Sequence, residues 1–493
     1  MGQMMKDVMA SGWRVDEVLA MLRFKVKASR AGTAAQARRH AGAADAAAAA
    51  HWDFCYEYLK LVSRSFALVI MELDDELRDP VCIFYLVLRA LDTIEDDTSH
   101  DAERRIALCK QFYTFLDVAS EQNVAEVAFR SSEFGKLHEK VLLEKFPVVI
   151  ECFRSLAPKY QSVIRDITQK MGAGMAEHIH DKECITVEEY DTYCFYVAGL
   201  VGLGLSEMFV VSGRESDFFT KNEHLSISMG LFLQKTNIIR DYLEDIHDAR
   251  TFWPKEIWSA HAPNQSLADF KDPDNRVHAV ECLNAMVADA LRHVPDCIEY
   301  MSQVQNEHVF NFVAIPQVMA IGTISECLNN SLVFEGVVKL RKGLTAKLIM
   351  QTKSMPALSS LYFDFACVMQ KKLESSDPSY ELVCDRLSQV KDLSVAYMRT
   401  TPNLMVPNWV VAILSVLLSY YLVQRRRELD LEGLPHGGLP SGQDMLAMAG
   451  LFLGVAYMLG FFGLQFMKPS IMRTGSSENV GETVRSPRAL LVR

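Results

Sequence analysis

Two acidic clusters lie far apart in the sequence, and each has the composition of a metal-binding site. The first spans residues 92–97 (DTIEDD) and the second spans residues 241–245 (DYLED). Each follows an apolar stretch with a helical pattern. Because residues three and four apart share one face of a helix, each cluster is expected to place three carboxylates side by side. These carboxylates belong to Asp92, Glu95 and Asp96 in the first cluster and to Asp241, Glu244 and Asp245 in the second.

Three carboxylates on one helix face point to cation chemistry. Like charges repel each other, so the arrangement costs stability unless a cation offsets it. Hard divalent ions such as Mg²⁺ prefer oxygen ligands and often keep a substrate phosphate as a further ligand. Two such faces opposed across a helical cavity would hold a diphosphate between metal ions.

The alternative for either cluster alone is a solvated helix face, because charge runs usually face water. The apolar flanks at residues 86–88 and 231–233 argue against this alternative. Basic residues also lie within two turns upstream, namely Arg89, Lys235 and Arg240. Mixed charge inside an apolar helix is costly to bury without a ligand.

Composition narrows the class of protein. The chain has 493 residues and a formal net charge of −11, which argues against nucleic acid as a partner. Its 11 cysteines are scattered, without C-x-x-C pairs and without histidines at zinc-ligand spacing. We therefore expect reduced thiols in a cytosol-facing domain, and neither a disulfide framework nor a zinc site.

The pattern along the chain predicts three segments. Within residues 51–400, apolar residues recur three and four positions apart, and strand signals are few. This pattern predicts an all-α catalytic domain. Residues 1–50 are predicted to be a flexible extension. A transit peptide is the alternative for that segment, but Asp7, Asp16 and Glu17 argue against it.

Residues 401–493 are predicted to be a membrane anchor and tail. The hydrophobic segments 404–423 and 445–467 each have roughly the twenty residues that a bilayer core requires. Flanking charges mildly favour a hairpin with both ends in the cytosol. A single span, with the other segment in the interface, and a pair of buried core helices are the alternatives.

These motifs identify a family. The chain resembles eukaryotic squalene synthase (farnesyl-diphosphate farnesyltransferase), a head-to-head trans-prenyl transferase, from about residue 19 to residue 343. Acidic pairs alone would also fit phytoene synthases, whereas residues 309–317 (VFNFVAIPQ) and 339–343 (KLRKG) are more specific to squalene synthase. The matching blocks are residues 63–66, 81–97, 193–204, 230–245, 252–254, 310–320 and 338–343.

The resemblance implies a fold and a reaction. The fold would be one large helical bundle of the isoprenoid synthase type around a central cavity, followed by the C-terminal anchor helices. The reaction would join two farnesyl diphosphates into presqualene diphosphate and reduce this intermediate with NADPH to squalene, the first committed step toward sterols. Mg²⁺, with Mn²⁺ as a possible substitute, would assist ionisation. We expect a monomer on the endoplasmic reticulum membrane, with its catalytic domain in the cytosol.

The resemblance also assigns roles to residues. Metal would be held by Asp92, Glu95, Asp96, Asp241 and Asp245, with Glu244 as a further candidate. Substrate would contact Arg64, Arg89, Gln234, Asn237, Arg240, Phe310 and Gln317. NADPH phosphates would contact Arg64, Arg89, Arg240, Lys339 and Arg341. The catalytic set would be Tyr196, Phe312 and the four aspartates Asp92, Asp96, Asp241 and Asp245.

Several of these roles have alternatives. The arginines would otherwise form structural ion pairs, and the aromatic residues and Tyr196 would otherwise be packed core. The released diphosphate is an alternative base to Tyr196, because a neutral tyrosine with a pKa near about 10 is a weak base. No glycine-rich turn follows a strand, so no Rossmann site is predicted.

One segment departs from the family pattern. Residues 246–250 (IHDAR) follow the second acidic cluster, where the family usually has a glycine-containing loop. Glycine is the residue that best permits a moving loop, so the mobility of this one is in question.

Two other functions are alternatives to squalene synthesis for this sequence. A synthase that stops at a presqualene, phytoene or dehydrosqualene-type product would need no reductant, and residues 339–343 argue against it. A non-catalytic membrane scaffold of the same fold would be expected to have lost carboxylates, whereas both clusters are complete.

Overall fold

The computed structural model describes residues 17, 46–63, 66–117, 134–179 and 183–398. All of them lie in the first of two compact units, Met1–Thr401. The predictions for the N-terminal extension up to residue 45, for Arg64 and for the anchor segments 404–423 and 445–467 concern positions outside the described residues, apart from Glu17.

Every regular element in the described ranges is helical, which confirms the predicted all-α class. The first helix with described bounds begins at Ala46, slightly before the predicted start of the catalytic domain. The helices of the N-terminal half are α1 (Ala46–Ser63), α2 (Phe66–Ile70), α3 (Asp75–Asp96), α4 (Ala102–Gln111), α5 (Leu137–Glu144), α6 (Phe146–Ser155), α7 (Pro158–His178), α8 (Val187–Cys194), α9 (Leu200–Val211) and α10 (Phe218–Lys221).

The C-terminal half continues in the same way, with short connections. Its helices are α11 (Glu223–Arg240), α12 (Tyr242–His247), α13 (Lys255–Trp258), α14 (Arg276–Leu291), α15 (Val294–Gln303), α16 (Glu307–Cys327), α17 (Lys342–Gln351), α18 (Met355–Lys372) and α19 (Tyr380–Met398). Short 3₁₀ turns lie at Phe112–Leu116, Leu267–Lys271, Pro273–Asn275 and Ser331–Phe334, and a π-helical turn at Phe195–Gly199 joins α8 to α9.

Local sequence explains where the site-bearing helices begin. The side chain of Asp74 accepts a hydrogen bond from the backbone N–H of Leu77 and caps α3, whose first turn is acidic. The side chain of Asn306 caps α16 by accepting from the N–H groups of His308 and Val309. These caps satisfy N–H groups that the helices themselves leave unpaired.

Helix α11 is the centre of the bundle. It packs against α9, α14, α15 and α16 and against the π-helical turn. Glycines allow the closest of these approaches: a Cβ atom on Gly230 would lie 2.2 Å from the carbonyl oxygen of Ala198. The buried apolar side chains form one continuous core that surrounds a cavity.

Two described stretches, Val187–Val211 and Glu307–Cys327, are long and apolar enough by composition to cross a membrane. Both supply side chains to the cavity wall, for example Val201 from the first and Phe312 from the second. The core and the cavity therefore account for their apolar character.

Candidate active site

A cavity of about 450 Å³ opens at the centre of the bundle. Its polar end holds members of both acidic clusters together with arginines and side-chain amides, namely Asp92, Asp96, Asp241, Asp245, Arg89, Arg240, Arg250, Gln234 and Asn237. Its remaining wall is mostly apolar and includes Phe66, Phe84, Leu88, Val201, Leu205, Phe209, Met229 and Phe312. A charged head group and a hydrocarbon chain would therefore each find a matching surface.

The first acidic cluster occupies the last turn of α3. One oxygen each from Asp92, Glu95 and Asp96 lies within 4.8 Å of the others, a spacing that suits ligands of a single cation. Behind the cluster, a guanidinium nitrogen of Arg105 donates to the backbone carbonyl of Glu95 at 2.7 Å. This positive charge stabilises the carbonyl end of the helix that carries the cluster.

Crowding shifts the protonation of this cluster. Burial and the charge of Asp92 raise the pKa of Asp96 to about 7. Burial and the charges of Asp96 and Asp92 also raise the pKa of Glu95 well above its usual value. A bound cation would reverse both effects, because it favours the deprotonated carboxylates.

The second cluster is built differently from the prediction. Helix α11 ends at Arg240 and α12 begins at Tyr242, so Asp241 lies at a helix junction. The N–H of Asp245 still donates to the carbonyl of Asp241 at 3.0 Å, and both aspartates line the cavity. Glu244 is exposed and is not among the cavity-lining residues. The structure therefore separates Glu244 from the two aspartates with which it was grouped.

Asp245 is the more buried aspartate of the second cluster. Burial, with the nearby charges of Asp241 and Asp96, raises the pKa of Asp245 to about 7. The charge of Asp96 comes from the other cluster. The two clusters therefore influence each other electrostatically across the cavity, as a shared anion or metal site requires.

The predicted arginines pair with the clusters they accompany. Arg89 donates to Asp92 at 2.7 Å and to the hydroxyl of Tyr85 at 3.2 Å. Nε of Arg240 donates to Asp241 at 2.7 Å. Burial lowers the pKa of each arginine, but the neighbouring aspartate outweighs this effect and raises it. Both guanidinium groups stay charged at the cavity wall, where they can bind phosphate oxygens.

Arg250 is a site residue that was not predicted. Its guanidinium contacts Asp96 of the first cluster and lies 3.1 Å from Asp245 of the second. It also lies 3.5 Å from Asp248. The available sequence signal was its position directly after the second cluster, in the segment that departs from the family pattern.

Two tyrosines of the segment at residues 193–196 have different surroundings. Tyr193 lines the cavity, and its ring stacks on that of Phe252 with centroids 5.0 Å apart. Burial and the charges of Glu95, Asp96 and Asp92 raise the pKa of Tyr193 well above 10. Tyr196 is not among the cavity-lining residues. Its ring lies over Gly174, where a Cβ atom would be only 2.1 Å from the ring carbons.

Helix α16 supplies the predicted apolar-end residues. Phe312 and Gln317 line the cavity, and Phe312 meets Phe209 edge-on with centroids 6.0 Å apart. Nε2 of Gln317 donates to the carbonyl of Met229 at 2.8 Å, and its buried Oε1 has no protein partner. Phe310 is buried but is not among the lining residues.

The residues predicted to bind the nicotinamide cofactor are not all brought together. Arg89 and Arg240 line the cavity, whereas Lys339 and Arg341 are exposed and are not among its lining residues. Arg341 lies 3.1 Å from the carboxylate of Glu17. Its guanidinium is thus already engaged with an anionic partner.

The chain is similar to known proteins in both sequence and structure. Residues 59–343 match the family model described as squalene/phytoene synthase. Squalene synthase 8 of Panax ginseng is 50% identical over 344 residues, which cover 69% of this chain and 84% of that protein. Squalene synthase BSS of Botryococcus braunii is 46% identical over 398 residues, which cover 79% of this chain and 84% of the relative.

A solved structure agrees with these sequence relatives. The structure of TcSQS in complex with the ligand BPH1237 superimposes with a TM-score of 0.67 at 41% identity. The match covers 70% of this chain and 99% of that one. The two chains therefore share the arrangement of helices over most of the described unit.

Proposed function

The chain belongs to the squalene/phytoene synthase family, and from this premise we propose that it joins two farnesyl diphosphates head-to-head and reduces the product to squalene. Presqualene diphosphate is the intermediate, and the reaction is the first committed step toward sterols. The observation that carries the proposal is the meeting of two carboxylate clusters at one end of an apolar cavity.

The residues present fit a divalent metal ion. The first cluster offers three carboxylates with mutually close oxygens, and Asp241 and Asp245 line the same cavity. Hard oxygen donors of this kind suit Mg²⁺, with Mn²⁺ as a substitute. When bound there, the metal would neutralise charge on a departing diphosphate.

Arg89 and Arg240 hold the diphosphate in this proposal. Each guanidinium lines the polar end of the cavity and stays charged, so each can donate to phosphate oxygens. Gln234 and Asn237 offer neutral amide donors on α11, the helix that ends at Arg240. Because these donors are in place before ionisation, they stabilise the negative charge that develops on the leaving group.

The apolar wall has two tasks. It packs against the hydrocarbon chains, and it keeps water away from the allylic cation that forms when the C–O bond breaks. Ring faces such as those of Phe209 and Phe312 are electron-rich and stabilise a cation without forming a bond to it.

Closure of the cyclopropane ring releases a proton. Because the pKa of Tyr193 is raised well above 10, its hydroxyl stays protonated near neutral pH and no phenolate is present to take up this proton. We propose Tyr196 or the released diphosphate as the acceptor. The ring of Tyr196 is held over Gly174, and its neighbours Val197 and Ala198 line the cavity.

The second half-reaction needs a hydride donor, and the family points to NADPH. When bound, NADPH would supply the hydride that quenches the rearranged cation. Lys339 and Arg341 lie two residues apart in a segment without regular structure, and both are exposed. Cationic side chains of this kind fit the phosphates of the cofactor. The buried Oε1 of Gln317, which has no protein partner, is a possible acceptor for a group in the cavity.

We further propose that the enzyme acts as a monomer on the endoplasmic reticulum membrane, with residues 401–493 as its anchor. Deletion from Pro402 onward is expected to give a chain that stays in solution without detergent and retains squalene synthesis. Sedimentation and product formation measure the two properties separately. Loss of activity in a correctly folded truncated chain would contradict a purely anchoring role.

A product assay tests the function as a whole. The full-length chain in detergent would receive farnesyl diphosphate and Mg²⁺, with or without NADPH, and mass spectrometry would identify the lipids. Squalene with NADPH and presqualene diphosphate without it are expected. A product that is unaffected by NADPH would indicate a non-reductive head-to-head synthase, and the absence of any product would refute the assignment.

A further inference from the structure

Within the described part of the chain, Arg250 joins the two acidic clusters through ion pairs. Arg89 pairs within the first cluster and Arg240 within the second. The guanidinium of Arg250 instead contacts both Asp96 and Asp245, which come from helices far apart in the sequence. The side chain keeps 26% of its surface exposed, so it lies at the rim and not in the core.

The backbone after α12 directs Arg250 to this place. The N–H of Arg250 donates to the carbonyl of Asp245 at 2.9 Å, and the N–H of Ala249 donates to Ile246 at 3.3 Å. This pair of bonds is a Schellman termination, which requires a left-handed residue between its ends. Ala249 is that residue, with φ of +56°.

An aromatic stack supports the guanidinium from below. Arg250 lies over the ring of Phe252, with its central carbon 5.7 Å from the ring centroid. The ring of Phe252 stacks in turn on that of Tyr193. The cation is therefore held by packing and by backbone geometry as well as by its carboxylate partners.

The carboxylates that Arg250 contacts are two of those proposed to hold metal. An oxygen that accepts a guanidinium N–H has fewer lone pairs left for an ion, and two cations that share the same carboxylates would repel each other. Building on the function proposed above, we propose that Arg250 is an internal counter-ion that competes with the divalent metal for Asp96 and Asp245. When the metal takes these oxygens, Arg250 turns to the diphosphate.

This exchange makes metal binding and diphosphate binding cooperative. In this proposal the side chain of Arg250 rotates away from the carboxylates while α3 and α12 stay in place. A diphosphate beside the metal offers the freed guanidinium new oxygen acceptors in a bidentate geometry. Arg250 is thus a positioning residue whose partner depends on what the site contains.

The test uses Mn²⁺ alone as the first probe. Full-length wild type and R250Q in detergent would be titrated with Mn²⁺, and free Mn²⁺ would be measured by electron paramagnetic resonance. Removal of the competing cation is expected to tighten Mn²⁺ binding roughly three- to tenfold. R250K keeps the charge but loses the planar fork, so its affinity should lie between those of wild type and R250Q.

The second probe is inorganic pyrophosphate in the presence of saturating Mn²⁺. Here R250Q should bind pyrophosphate about tenfold more weakly than wild type, because a charge-assisted donor is missing. The opposite signs of the two changes distinguish the exchange from a merely structural role, which would weaken both or neither.

R276Q is the matched control. Arg276 also lies over an aromatic ring, that of Phe334 at 5.6 Å, and pairs with Glu335 at 3.4 Å. Its side chain is 21% exposed, but its partners belong to neither acidic cluster. Neither affinity should change in R276Q. Circular dichroism would establish that each variant is folded, and R250K carries the test if R250Q is not.

Equal or weaker Mn²⁺ binding by folded R250Q would overturn the exchange while leaving the proposed function intact. Unchanged pyrophosphate binding would overturn it as well. If the wild-type chain itself bound no Mn²⁺, the metal-dependent function would fail, and the exchange would fail with it.

Discussion

The two acidic clusters resemble each other in sequence but differ in construction. The first is the last turn of one long helix, Asp75–Asp96, and brings three carboxylates to one point. The second lies across the junction between α11 and α12. Asp241 and Asp245 line the cavity, as Asp92 and Asp96 do, but the third carboxylate, that of Glu244, is exposed. Equal spacing gives equal geometry only where the helix is continuous, because one non-helical residue redirects everything after it.

The charge around the clusters differs as well. In the first, Arg105 supports the backbone from behind and Arg89 pairs with Asp92. In the second, Arg240 pairs with its neighbour Asp241, and Asp245 depends on Arg250 in the following loop. The first cluster is therefore held mainly by its helix, although Asp96 also contacts Arg250, whereas the second lies at a helix junction and depends more on the loop.

The largest effect is expected from removing one charge in either cluster. D92N and D241N keep the side-chain size but lose an anionic oxygen, so each should lower squalene formation by about 10³-fold or more. Product formation from farnesyl diphosphate measures this loss, with circular dichroism as the check on folding. Near-normal turnover in either variant would remove that cluster from the proposed site.

The next largest effect on turnover is expected to differ between the third carboxylates of the two clusters, those of Glu95 and Glu244. E95Q should lower turnover by roughly ten- to a hundredfold, because Glu95 lies within the group of close oxygens. E244Q should stay within about threefold of wild type, because Glu244 is exposed and is not part of that group of close oxygens. The two substitutions are chemically identical, so each controls for the other. Equal losses would mean that the clusters are equivalent after all.

The same contrast between the two clusters explains which parts of this site could be predicted from the sequence. The all-α class and the meeting of Asp92, Asp96, Asp241 and Asp245 at one cavity were predictable, because helical periodicity and repeated acidic spacing are local signals. The exposure of Glu244 was not, because the spacing of residues 241–245 does not reveal that α11 ends at Arg240 and that Asp241 lies between two helices.

The role of Arg250 could not be predicted from the sequence pattern either. Its role depends on the left-handed backbone at Ala249 and on the stack formed with Phe252 and Tyr193, which are tertiary features. Residues 252–254 form one of the blocks that match the family pattern, but their spacing alone does not predict a role in the site. The sequence also grouped Tyr196 with the reacting residues, whereas Tyr193 is the tyrosine of this pair that lines the cavity.

A smaller effect is expected on the pH dependence of the folding stability. Asp96 and Asp245 have folded-state pKa values of about 7, above the usual range near 4. Between these values the folded chain binds more protons than the unfolded chain, so stability should fall as pH rises from about 4 to 7. In EDTA the unfolding temperature should drop by a few degrees over this interval.

The pH effect also compares the clusters directly. D96N and D245N each remove one titrating group, so each should flatten the dependence, and by similar amounts. Added Mg²⁺ should oppose the fall, because it binds the deprotonated carboxylates. A stability that rises with pH in EDTA would contradict the raised pKa values.

The smallest effect tests the loop on which the second cluster depends. Ala249 has a left-handed backbone, which costs a non-glycine residue about 1–2 kcal/mol. Glycine removes that strain but adds about 0.5–1 kcal/mol of entropy cost on folding. A249G should therefore raise the free energy of unfolding by up to about 1 kcal/mol. A285G, within helix α14, should lower it by a similar amount, because that position has ordinary helical geometry. Denaturant unfolding of both variants gives the comparison, and equal destabilisation would mean that the loop does not hold Ala249 in the left-handed region. A stability gain at residue 249 would show that strain is stored in the loop that carries Arg250, the partner of both Asp96 and Asp245.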